Sequence, residues 1–163
     1  MLCVLMLMRT MSAFVGCVVG NKADNIYAPK TEANTKAYKN FKKKAEEQNV
    51  EIKHPNVGDE IQLGSSTVEF LGPVDENGKD LNSTSIVLKI TYGNTSFLFM
   101  GDAESDEEEE ILNSGADLKS TVLKVVITVQ EHQRPISVFG VKLCAVCRDK
   151  RRKRQFNTVT LMK

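Results

Sequence analysis

The chain has 163 residues, with 22 Lys and Arg set against 21 Asp and Glu, so its global charge gives no pull toward an anionic or a cationic partner. Aromatics make up 6% and Trp is absent, which argues against a platform for stacking nucleic-acid bases. The length suits one domain able to bury a core.

All four cysteines (Cys3, Cys17, Cys144 and Cys147) lie near the ends, and the methionines crowd the start. Composition therefore divides the chain into an apolar segment at 1–24, a well-patterned core at 25–129 and an irregular basic tail at 130–163. The first segment makes a poor secretory signal, because it lacks a basic n-region and Arg9 interrupts its apolar run. The compartment stays open between the cytoplasm and an envelope-associated or secreted location, the latter if residues 1–17 act as a signal.

Within the core, Ile26, Tyr27 and Ala28 form a short strand closed by Pro29. Residues 31–48 follow as a helix capped by Thr31 or Asn34, with Ala37, Tyr38, Phe41 and Ala45 on one face. Lys39, Lys42, Lys43 and Lys44 mark its solvated side. Strands are expected at 50–53, 60–63 and 67–71, and 72–82 is a loop. Ile86, Leu88 and Ile90 then alternate with Val87, Lys89 and Thr91, and Gly93-Asn94 supplies positive-φ residues for a tight hairpin turn. Phe97, Leu98, Phe99 and Met100 read as a strand buried on both faces, stopped by Gly101-Asp102. Residues 106–112 form an acidic-start helix, with Glu107 to Glu110 taken as solvated. A β-rich run covers 118–129, a strand pair is conceivable at 136–146, and 148–154 is a basic run.

The block from Asn82 to Glu104 resembles the metallo-β-lactamase superfamily, in particular the hydrolase domain of bacterial DNA-uptake competence proteins. Asn82, Ser85, Val87, Leu88, Gly93, Phe97, Leu98, Gly101, Asp102 and Glu104 carry the resemblance. It implies a bacterial α/β protein, an incomplete αββα sandwich of the metallo-β-lactamase fold. It also implies metal-assisted hydrolysis by two divalent metals (Zn or Mn), a phosphodiester substrate and a nucleic-acid partner. Asp102 would be a metal ligand, and His132 stands near where the family places a Gly-His-His-Gly-Ser turn. On the residues alone, Asp102 reads instead as the N-cap of the helix that follows.

That His-His turn and the family's first His-x-His/Asp-x-Asp-His loop are both missing. His54 and His132 are the chain's two histidines, and neither has a partner at metal-ligand spacing. Cys144-x-x-Cys147 lacks the second pair that a zinc ribbon needs. With suitable synonymous codons, both missing motifs can be encoded in a shifted reading frame. Residues 125–130 are Val-Val-Ile-Thr-Val-Gln. Encoded GTG GTC ATC ACG GTT CAA and read from the third base, that hexapeptide gives Gly-His-His-Gly-Ser. The same shift across 4–13 can give Thr-His-Ala-Asp-Ala-Asp-His-Val-Gly. The expectation is therefore an in-frame core between out-of-frame ends, inactive as a hydrolase. The other readings are a non-catalytic domain that self-associates through exposed strand edges, or a small envelope-associated protein.

Overall fold

In the computed structural model, the described residues are 2–4, 23–75, 84–103, 105–127, 137–138, 141–142 and 157–162. Side chains are described for most of 23–75, 84–103 and 106–124.

Three strands form a parallel sheet in the order β1 (Leu2–Val4), β2 (Asn25–Tyr27), β3 (Ile52–Lys53). Between β2 and β3 runs α1 (Lys36–Glu47). Thr35 is its N-cap, accepting from the Tyr38 backbone N–H at 3.2 Å. That corrects the expectation of Thr31 or Asn34. Thr35 has the extended backbone a cap requires, and its hydroxyl satisfies one of the otherwise unpaired first-turn donors. Tyr38, Phe41 and Ala45, at i, i+3 and i+7, close over Ala23, Ile26, Ala28 and Ala33 as a first core. On the other side Lys42 pairs with Glu32 at 2.6 Å, and Lys43 and Lys44 both reach Glu47.

The larger sheet has six strands in the order β11-β8-β7-β6-β5-β4. These are β4 (Glu60–Leu63), β5 (Ser66–Gly72), β6 (Val87–Tyr92), β7 (Thr95–Phe99), β8 (Val122–Ile127) and β11 (Asn157–Met162). Strands β4 to β7 are a meander of antiparallel neighbours, and β8 joins β7 in parallel after α2 (Ser105–Asn113). The β6–β7 turn is Gly93-Asn94, bracketed by the Tyr92–Thr95 pair. Only Gly93 of the two takes positive φ (53°), so glycine is needed at the first turn position alone. A register shift between Phe70 and Gly72 sets Leu71 as a bulge in β5.

Period-two alternation gives the six-stranded sheet two buried faces. Val68, Phe70, Ile86 and Leu88 point one way, packed with Tyr27, Ile61, Ile90 and Phe99. The Tyr27 and Phe70 rings lie 5.3 Å apart, which ties the small sheet to the large one. Leu71, Val87, Leu98, Met100 and Leu123 point the other way and meet Ile111 of α2. The layers run helix, three-stranded sheet, six-stranded sheet, helix.

Both ends contain more regular structure than composition implied. Residues 2–4 add a strand to β2, and 157–162 pair antiparallel with β8 over six positions, where an irregular tail was expected. Strands β9 (Ser137–Val138) and β10 (Val141–Lys142) form a small antiparallel pair. Among the described residues, no helix is long and apolar enough to cross a membrane.

Candidate functional site

Asp102 is placed by the end of β7. The Met100 N–H donates to Lys124 O at 3.1 Å, prolonging the β7–β8 ladder one residue past the strand. Gly101 then takes φ of 60°, a conformation that a side chain would disfavour. The Ala103 N–H donates back to Met100 O at 3.1 Å and closes a turn with Asp102 inside it. The residue is half-buried and its Oδ1 is fully buried. Helix α2 begins at Ser105, so Asp102 stands too early in the chain to be its N-cap, and that reading is corrected.

Ser85 and the neighbouring Thr84 are both fully buried just ahead of β6. Asn82, Glu104, His132, Cys144, Cys147 and the basic run at 148–154 lie outside the described residues. His54 is exposed at the end of β3, its Nδ1 2.9 Å from Ala28 O. Among the described residues, no three His, Cys, Asp or Glu side chains converge in a way that could hold a metal. The donors among the described residues therefore do not fit a two-metal centre, which requires several imidazoles and carboxylates around each ion.

Two charged side chains on the α2 side of the sheet are buried. Lys89 of β6 is 7% exposed, and its Nζ donates to Asp117 O at 2.7 Å and to Asp117 Oδ2 at 3.0 Å. The bond from Lys89 holds the Asp117 carboxyl below its ordinary range. Glu107 is 1% exposed, which corrects the solvated reading of that residue. Its Oε1 accepts from the Val74 N–H at 3.1 Å, and Oε2 is buried with no hydrogen-bond partner among the described residues. Burial pushes the Glu107 carboxyl up to about 7; Glu110 and Asp75 add to the rise, and the Val74 N–H opposes it. The signal was present in the sequence: Glu107 precedes the buried Ile111 by four residues and so shares its face. A run of four glutamates obscured that spacing.

No protein-family model matches the chain. Over 81 residues it is 32% identical to ComE operon protein 3 of Bacillus subtilis (strain 168). That stretch is half of this chain. It spans about a tenth of the relative's length, at 10%.

Proposed function

We propose that this chain is a degenerate competence-related unit of the metallo-β-lactamase type, whose metal centre is reduced to Asp102 and which does not hydrolyse phosphodiesters. The observation that carries the reading is the position of Asp102: a carboxylate with one buried oxygen, set in a glycine-initiated turn at the end of a central strand. A rigid strand end is a place from which a short side chain can be aimed at a reacting centre. The matching block from Asn82 to Glu104, the partial likeness to ComE operon protein 3 and the four-layer arrangement support it further.

Loss of activity follows from the donor count. A single carboxylate binds a divalent cation weakly and has no means of positioning a hydroxide. A shift of reading frame at both ends would account for where the His motifs went, and the nucleotide sequence across 4–13 and 125–130 tests that part directly. Hydrolysis of bis(p-nitrophenyl) phosphate, with Zn or Mn added, tests the function. The expected rate equals that of the metal alone, and Asp102→Ala leaves it unchanged. A protein-dependent rate that Asp102→Ala abolishes overturns the proposal.

A further inference from the structure

Glu107 lies outside the Asp102 turn, five residues further along, and the proposed function makes no use of it. Its carboxyl group sits over Gly72, the last residue of β5. A Cβ built on Gly72 would meet Glu107 Oε1 at 2.6 Å, Val87 Cβ at 3.2 Å and Ile111 Cδ1 at 3.3 Å. Backbone and carboxylate can approach this closely only because residue 72 has no side chain. Two residues on, the Val74 N–H donates to the same oxygen. One side chain of α2 thus fastens the segment at 72–75 to the helix.

The fastening depends on charge. An ionised carboxylate on a side chain only 1% exposed is far more costly than a neutral one. Glu110, on α2, and Asp75, on the fastened segment, face it with the same sign. The buried cation of the same sheet face, Lys89 on β6, is committed to Asp117. Among the described residues, Glu107 has no ion-pair partner. We propose that Glu107 is a pH-sensitive latch, which holds the segment at 72–75 against α2 while protonated and loosens it on ionisation.

The direction of the effect follows from linkage. A carboxyl group that keeps its proton more tightly in the latched state makes that state strongest at low pH. Latching weakens as pH rises from the ordinary glutamate range toward 7, and levels off beyond, in line with the raised carboxyl value.

Two readings on the full-length chain test this without reference to any activity. The first is a carbon-detected NMR titration of the Glu107 side-chain carboxyl. A midpoint near neutrality is expected; a midpoint at the ordinary value of 4.5 overturns the latch. The second is the hydrogen-exchange protection factor of the Val74 amide. It should fall by up to about tenfold per pH unit between about 4.5 and 7, and be flat in Glu107→Gln, which keeps the shape and the acceptor but cannot ionise. The same slope in Glu107→Gln overturns the proposal. The titration needs no variant, so it decides the matter even if Glu107→Gln does not fold.

Discussion

The two faces of the six-stranded sheet are buried to similar depth by different means. Toward the three-stranded sheet the packing is aliphatic and aromatic, built from Val68, Phe70, Ile86, Leu88 and Tyr27. Toward α2 a comparable apolar set is interrupted by a buried lysine and a buried glutamate. The first face is governed by volume: among the described residues its core holds no buried Asp, Glu, Lys, Arg or His. The second includes groups whose charge must be matched or suppressed, so its strength is tied to solution conditions. A sheet with one face of each kind can keep its architecture while one side responds to its surroundings.

The contrast can be broken most forcefully at Phe70, which is fully buried against Tyr27. Phe70→Ala should lower unfolding stability by about 3–5 kcal/mol, equally at pH 5 and pH 8, as read by urea denaturation. A strongly pH-dependent loss would erase the distinction between the faces. The next effect belongs to Glu107. Its folded-state value of about 7 lies above the ordinary one of 4.5. Stability is therefore complete below the ordinary value and declines as pH rises toward 7, by up to about 3 kcal/mol. Glu107→Gln should remove that decline.

Gly72→Ala places a methyl group against Glu107 Oε1, Val87 and Ile111. It should lower stability by about 1–3 kcal/mol and reduce the pH dependence along with it, since the carboxyl group must move aside. A loss with the pH dependence intact would separate Gly72 from the latch. The smallest change is Thr35→Ala, at the start of α1 and remote in sequence from both faces. Removing that cap should lower stability by about 1 kcal/mol with no pH term of its own.

Much of this was legible because local physics determined it. The apolar spacing of Ala37, Tyr38, Phe41 and Ala45 specified the buried side of α1, and the alternation from Ile86 to Thr91 specified both faces of β6. The cap shifted by one residue from Asn34 to Thr35, since either side chain can accept the bond and only the backbone path decides between them. Strand order was not legible. Whether β8 joins β7 in parallel, or β4 ends the sheet, depends on long-range pairing that local patterns do not encode. The strand at 157–162 was missed because its pairing with β8 is likewise long-range, and Thr and Asn read as polar coil in isolation. Glu107 is hidden for a different reason: the run of four glutamates suggests a solvated face, although its spacing to the buried Ile111 places it inside.

At the site, Asp102 was legible as the stop to a buried strand, and the turn geometry refined its role by excluding the N-cap. What no local pattern could supply was whether other donors approach it. Among the described residues, no three His, Cys, Asp or Glu side chains gather there in a way that could hold a metal.

The proposal that Asp102 is the remnant of a metal centre is tested most directly by equilibrium dialysis of the 163-residue chain against Zn or Mn, followed by metal analysis. Weak, substoichiometric metal that Asp102→Ala scarcely changes is expected. Two tightly held ions per chain, lost in Asp102→Ala, would contradict it.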